Sequence, residues 1–423
     1  MKRKSLFVAS GVAAFIMSSA VILSSTVTTD TGVYNVINRA GSSINDALNS
    51  ITNTFLELNM NTIEGHMDDK AYASRKSIGL TEDISTSIME EQKGNYYFDR
   101  LPASQQKQYA DIYYILTHRA KSVALVDAEE STLSKIFESV LADHPEIFYT
   151  TGYEIETTKF QENVLTLYIN AKYVYTEEEI ATRQKQIDVY VEDCIRGIPS
   201  QADDYEKSKY VYEYLIKYTD YDLAATDNQN ICSVMIDHVS VCNGYAKSFQ
   251  YIMKKLGIDC TVITGYVNNG ESHAWNAVKL DSNYYYVDVT WGDSYYITPD
   301  TNQLNSPKVN YNFLNITTNE LQRSHVIENL VAVPVCAATQ NNYYVRENMY
   351  MDCFDEEQLT SIFNQAFSKG KDSVSIKFSD NDLYNAYISY LIDKQYIFEY
   401  LPSLQQATYS TDSSQNIITF WLS

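Results

Sequence analysis

Between Asp203 and Trp291 the sequence passes from helical to strand periodicity, and a cysteine sits at the junction. A charged amphipathic helix over Asp203–Tyr218 leads into a polar loop, Thr219–Asn230. The segment Val239-Ser240-Val241-Cys242-Asn243-Gly244-Tyr245-Ala246-Lys247 then opens a helix that runs to Lys255 and stops at Gly257. Strands are expected at Cys260–Thr264, His273–Leu280 and Tyr284–Trp291, with turns at Asn268-Asn269-Gly270 and Asp281-Ser282-Asn283. Helices followed by strands on short turns demand an α+β fold, with a helix packed on an antiparallel sheet.

Three residues of this stretch carry chemistry. Cys242 falls where extended chain becomes helix, so free backbone N–H groups and the positive end of the helix dipole favour thiolate over thiol. Gly244 leaves room for a close approach of substrate or backbone. The Cys242 N–H, with one further donor that the sequence does not identify, would form an oxyanion hole. A thiol nucleophile needs a base, and the base needs a carboxylate to fix its tautomer. His273 and Asp288, on the two strands that follow, supply both types. Alternation sets a condition on the pair: a two-residue Asp281-Ser282 turn opposes Asp288 to Trp275 and leaves His273 as its diagonal neighbour. A three-residue turn would put His273 and Asp288 on opposite faces.

The blocks Cys242-Asn243-Gly244-Tyr245-Ala246, His273-Ala274-Trp275-Asn276 and Val287-Asp288-Val289-Thr290-Trp291 resemble the three motif blocks of the bacterial transglutaminase-like superfamily. The resemblance is specific over roughly residues 203–295. Weaker likeness extends to His144-Pro145-Glu146-Ile147-Phe148 and to Asn312-Phe313-Leu314-Asn315 through His325, in the manner of exported Gram-positive members. It implies a papain-like core, a nucleophile helix packed on an antiparallel sheet, flanked here by small α/β units. In it Cys242 would be the nucleophile, His273 the general base and acid, and Asp288 the orienting carboxylate. The implied reaction is acyl transfer on glutamine or peptide amides of a protein or peptide substrate through a thioester. A cysteine peptidase or amidase acting on surface proteins or cell wall shares the same chemistry, and a non-catalytic adhesion module would share the fold. No cofactor and no metal is implied, and the acidic residues form no D-x-D-x-D calcium loop.

Tyr245, Trp275 and Trp291 flank the expected site and are candidates for the substrate channel or for the core. His238, His144 and His325 read as structural, and Asp293 as a turn residue. The net charge of −22 repels phosphate backbones and excludes a nucleic-acid role. Six cysteines are too few for a disulfide scaffold in 423 residues, although a Cys232–Cys260 bridge is conceivable. Lys2, Arg3 and Lys4 precede an uncharged apolar run from Leu6 to Leu23, the pattern of an export signal or of an uncleaved membrane anchor. That run makes the protein secreted or anchored at the cell surface.

The organisation expected is residues 1–28 as signal or anchor, 29–95 as linker or stalk, 96–199 as an N-terminal α/β unit, 200–330 as the catalytic domain and 331–423 as a small C-terminal α/β domain. The stalk would be a weak amphipathic helix from Val33 to Leu58. The flanking units echo one another: Leu133 and Leu383, Phe148 and Phe398, and Asn163-Val164-Leu165-Thr166 and Asn416-Ile417-Ile418-Thr419 fall at similar places in a strand–helix–strand order. The 37 tyrosines are not explained by composition.

Overall fold

The computed structural model describes residues 69–126, 128–160, 163–293 and 309–422. The expected export segment and the Val33–Leu58 stalk lie outside these residues. No helix among the described residues is long and apolar enough to cross a membrane. The chain divides into two compact units between Glu177 and Glu178.

The first unit opens with α1 (Asp69–Ser77) and α2 (Glu82–Gln92), followed by α3 (Ala103–Thr117), β1 (Val123–Leu125), α4 (Glu130–Asp143), β2 (Thr150–Phe160) and β3 (Asn163–Tyr173). The stretch read as linker up to residue 95 is therefore folded from Asp69 onward. Its weak periodicity has a local cause. The Arg75 guanidinium is only 2% exposed and pairs with the Asp111 carboxylate at 2.6 Å and 3.2 Å, while the Ser85 hydroxyl donates to Asp111 at 2.5 Å. A polar trio thus occupies positions where an apolar stripe would have marked the helices. The sheet is antiparallel, in the order β1-β3-β2. The Asp143 carboxylate closes the end of α4 by accepting from the N–H groups of Tyr97 and Phe98 and from the Tyr109 hydroxyl.

The second unit begins with α5 (Glu177–Arg196), which spans the division, and α6 (Asp204–Tyr218). Asp203 and Glu206 cap α6 reciprocally, each side chain on the other's backbone N–H at 2.8 Å. The expected polar loop holds β4 (Asp220–Tyr221), followed by α7 (Ile231–Met235) and β5 (Val239–Ser240), which pairs with β4 in parallel. Then come α8 (Cys242–Lys255), β6 (Cys260–Val267), β7 (Ser272–Leu280), β8 (Asn283–Val287), α9 (Val289–Gly292), β9 (Leu314–Ile316), α10 (Thr318–Leu321) and β10 (His325–Ile327). These five strands make one antiparallel sheet, in the order β10-β6-β7-β8-β9. Alternation gives it two apolar faces. Val262 and Ala274 pack under Cys242 and Ala246 of α8, while Ile263, Trp275, Ala277 and Tyr286 meet Phe313, Leu321 and Cys336 on the other side. Asn276 ties helix to strand, its side-chain N–H donating to the Ala246 carbonyl at 2.8 Å.

The chain ends in α11 (Tyr343–Arg346), β11 (Tyr350–Met351), α12 (Glu356–Ser368), β12 (Ser373–Phe378), α13 (Asn381–Ile388), α14 (Ile397–Tyr400), β13 (Tyr409–Asp412) and β14 (Ile417–Trp421). Its sheet runs β11-β12-β14-β13 around its own apolar core. The echo between the two flanking regions has a topological basis. The orders α3-β1-α4-β2-β3 and α12-β12-α13-α14-β13-β14 differ by the inserted α14 and by the extra edge strand β11, and in both sheets the last strand lies between its hairpin partner and the strand that precedes the shared helix (β1 or β12). Leu133 and Leu383 occupy the helices that follow β1 and β12.

Several tyrosines take core positions and use the hydroxyl to hold a carbonyl: Tyr212 holds Asn310 at 2.6 Å, Tyr286 holds Pro334 at 3.0 Å, and Tyr245 holds Thr219 at 3.1 Å. A ring contributes phenylalanine-like burial while its O–H fixes a neighbouring loop.

Arg75→Ala strands the buried Asp111 carboxylate and is expected to destabilise the first unit by about 3–5 kcal/mol. A urea titration followed by circular dichroism checks this, and Arg75→Met combined with Asp111→Leu is expected to recover most of the loss.

Candidate functional site

Cys242 is the first residue of α8. Val241 before it is extended and offers no side-chain cap; its carbonyl accepts from the Tyr245 N–H at 3.2 Å, and no cap side chain reaches the N–H groups at the start of the helix. The partial positive charge of that turn stabilises negative charge on the sulfur. Gly244 serves packing rather than substrate access: a Cβ there would lie 1.9 Å from the Ser240 hydroxyl and 2.8 Å from that of Ser233. The space belongs to the segment that delivers the chain into the helix.

The β7–β8 connection has the two-residue form. Leu280 faces Asn283, and Asp281 and Ser282 both adopt positive φ, 48° and 70°, as a type I′ turn requires. Asn276 faces Val287, so the register carried one step further sets Asp288 opposite Trp275 and diagonal to His273. The strand expected to reach Trp291 stops at Val287. Asp288 instead caps the short helix α9, its Oδ1 accepting from the Trp291 N–H at 3.0 Å, and its own N–H donates to the Phe313 carbonyl at 3.0 Å. Capping turns the carboxylate back toward β7, where Oδ2 meets His273 Nε2 at 2.7 Å. Because Nε2 is engaged there, Nδ1 is the nitrogen left for the Cys242 thiol, with which the His273 ring also hydrogen-bonds.

The residues Cys242, His273 and Asp288 are thus brought into one relay, and all are buried, at 5%, 3% and 1% exposure. Burial pulls the His273 imidazole down, but the Asp288 charge and the hydrogen bonds to Asp288 and Cys242 overcome it and raise its pKa to about 10. Burial alone would push Asp288 up, yet the His273 charge and hydrogen bonds from His273 and His325 hold it well below the usual carboxylate range. At neutral pH the arrangement is an imidazolium between a carboxylate and a sulfur. Burial lifts Cys194, Cys232 and Cys336 to about 12 and raises Cys260 as well, which keeps them neutral thiols. All six cysteines are free, so the conceivable Cys232–Cys260 bridge is not formed; the Cys260 thiol instead hydrogen-bonds the Asn276 side chain.

The other candidate residues sort by exposure. Tyr245 is fully buried, its hydroxyl lying 3.1 Å from both the Thr219 carbonyl and Asp293 Oδ2, so it and Asp293 are structural. Trp275 is 1% exposed and stacks beside His273 with centroids 6.0 Å apart, so it presents no surface to a substrate. Trp291 is half-buried, with its ring 6.1 Å from that of His273. His238 is exposed and takes positive φ. His144 binds Glu146 and Gln92 at 2.7 Å each, within the first unit. His325 behaves differently from the structural reading given to it: its Nε2 lies 3.1 Å from Asp288 Oδ2, the oxygen that His273 uses. Nothing local marks this residue in the sequence, because its partner stands 37 positions away. Gly265, which faces His273 across β6 and β7, makes the crowding possible. A Cβ there would lie 2.0 Å from the Val326 carbonyl and 2.9 Å from the Trp275 ring.

Residues 191–289 match a transglutaminase-like superfamily domain. The matched segment spans Cys242, His273 and Asp288 and ends one residue after the carboxylate. The chain is also 26% identical over 127 residues to kyphoscoliosis peptidase of Homo sapiens and 27% identical over 105 residues to that of Mus musculus. These alignments take in 26% and 21% of this chain but only 19% and 16% of the relatives' own length. A crystal structure described as a TGase aligns with 37% of this chain and 47% of its own, at 17% identity and a TM-score of 0.25.

His273 must carry a proton at Nδ1 to release an amine, so any turnover at this site is expected to fail as pH rises through about 10. Asp288→Asn removes the charge that raises His273 and should move this alkaline limb to lower pH while cutting kcat by about 10⁴-fold. Rate profiles of the two proteins between pH 6 and 11 check both expectations.

Proposed function

We propose that this protein is an exported thiol enzyme that transfers the acyl group of a glutamine side chain or peptide amide. The observation that carries the reading is the buried relay in which Cys242, at a helix start, meets an imidazole held by Asp288. The sulfur attacks the carboxamide carbonyl and forms a thioester as the C–N bond breaks. His273 gives its Nδ1 proton to the departing amine, so ammonia or a peptide amine leaves neutral. The neutral imidazole then takes a proton from the incoming nucleophile, whose attack on the thioester breaks the C–S bond and restores the sulfur beside an imidazolium. An amine as nucleophile yields a cross-link or modified protein, and water yields deamidation or cleavage. The basic–apolar N-terminus supports export, and a protein or peptide is the substrate class that fits an amide-directed thiol.

Hydrolysis is the second reading, favoured by the name of the mammalian relatives, which are peptidases. The test uses the protein and its Cys242→Ala variant with casein and a fluorescent primary amine. Cys242-dependent incorporation of the amine is the expected result. Cys242-dependent ammonia release or cleavage without incorporation would establish the hydrolase instead. Absence of any reaction, with Cys242 inert to iodoacetamide at neutral pH, would leave the fold serving adhesion rather than catalysis.

A further inference from the structure

His325 is a buried titratable side chain that the relay described above does not require. It is 1% exposed and closed in by aromatic rings, with centroids 4.6 Å away for Trp291, 5.1 Å for Trp275 and 5.8 Å for Phe313. Both of its nitrogens are used. Nε2 meets Asp288 Oδ2 at 3.1 Å and Nδ1 meets the Ser324 hydroxyl at 2.8 Å. An ionised carboxylate accepts and cannot donate, so a proton sits on Nε2, while the Ser324 hydroxyl lies within hydrogen-bond distance of both Nδ1 and the Leu321 carbonyl. Burial lowers His325 despite the pull of Asp288 and so favours the neutral ring.

Asp288 is accordingly fixed at every polar atom it has. Its N–H is held by Phe313, Oδ1 by the Trp291 N–H, and Oδ2 by the two imidazoles. Without His325 Oδ2 would lose one of its two donors in a pocket walled by the rings of Trp291, Trp275 and Phe313. The carboxylate could then rotate, and His273 would turn with it, away from Cys242. A neutral donor suits this place because a second cation would repel the imidazolium that the reaction needs, their rings being 5.5 Å apart.

We infer that His325 is a positioning residue, a fourth member that locks the Asp288 carboxylate so that His273 stays aimed at Cys242. This inference rests on the thiol-enzyme reading above. The test measures alkylation of Cys242 by iodoacetamide, with the exposed Cys353 in the same molecule as an internal reference. Thermal melting is recorded alongside, and kcat and KM are taken for whichever reaction the casein assay reveals. His325→Phe keeps the ring packing and removes both hydrogen bonds. It is expected to slow Cys242 alkylation and kcat by about 10- to 100-fold while KM stays within about twofold. His325→Gln restores an N–H near the position of Nε2 and is expected to return most of that loss. Ser324→Ala, which leaves the Nε2 contact in place and removes the hydroxyl from Nδ1 and from the Leu321 carbonyl, should give a smaller loss of about threefold and serves where the Phe variant does not fold.

Alkylation at the wild-type rate in His325→Phe, or in Ser324→Ala where the Phe variant is unfolded, overturns the inference. So does a Gln variant as slow as the Phe variant at equal melting temperature, since packing would then explain both. If Cys242 of the unaltered protein reacts no faster than Cys353, the thiol-enzyme reading itself falls and takes this inference with it.

Discussion

The Asp288 carboxylate is the constraint on which the site depends. It ends a strand, caps a helix and anchors an imidazole at once, and these roles require one another. Were β8 to continue through Asp288, its side chain would stand on the sheet face with no N–H of Trp291 to accept. Capping α9 turns the chain, and the turn directs Oδ2 to His273. A buried charge of this kind is tolerated only when its lone pairs are filled, and here they are filled by a backbone N–H and two imidazoles. The charge in turn keeps His273 protonated in a place where burial alone would have neutralised it.

Around that carboxylate the packing works by exchanging bulk for hydroxyls and for missing side chains. Gly265 gives up a side chain so that β10 and Trp275 can close on the same strand. Gly244 does so for the hydroxyls of Ser233 and Ser240 beneath α8. Tyr212 fills the space under α9 and reaches the Asn310 carbonyl, in the segment that also supplies the Phe313 carbonyl to Asp288. The tyrosine-rich composition thereby acquires a partial physical account: several of these rings are core residues whose polar ends fasten loops. Farther along, Lys377 of β12 and Glu320 of α10 form a largely buried pair at 2.7 Å, which fastens the last sheet to the segment preceding His325.

What the sequence made legible was whatever local periodicity and turn chemistry control. The helix from Cys242 to Lys255 begins and ends where the extended segment and Gly257 imply, and the even loop at Asp281-Ser282 sets the pairing of β7 and β8. The helical segment before residue 96 was illegible because Arg75 and Asp111 bury charge where a helix would ordinarily show an apolar stripe. The expected strand through Trp291 failed for a related reason: Val287 to Trp291 has strand composition, and only the capping bond from the Trp291 N–H ends it. Tyr245 and Trp275 read as either channel or core residues, because nearness to Cys242 and His273 along the chain says nothing of which side of a helix or sheet faces water; both are buried.

By itself, then, the sequence determined that Cys242, His273 and Asp288 come together, because their separations are short enough for one hairpin and one helix start to fix. It also showed a strand–helix–strand order in each flanking region, through the spacing of their apolar runs. Tertiary structure alone decided that Asp288 serves two histidines. His325 arrives from a strand on the far side of β6, and a contact made by two chain segments 37 residues apart leaves no periodic trace. It decided as well which aromatic residues are core, since burial is a property of the closed sheet and not of any residue within it.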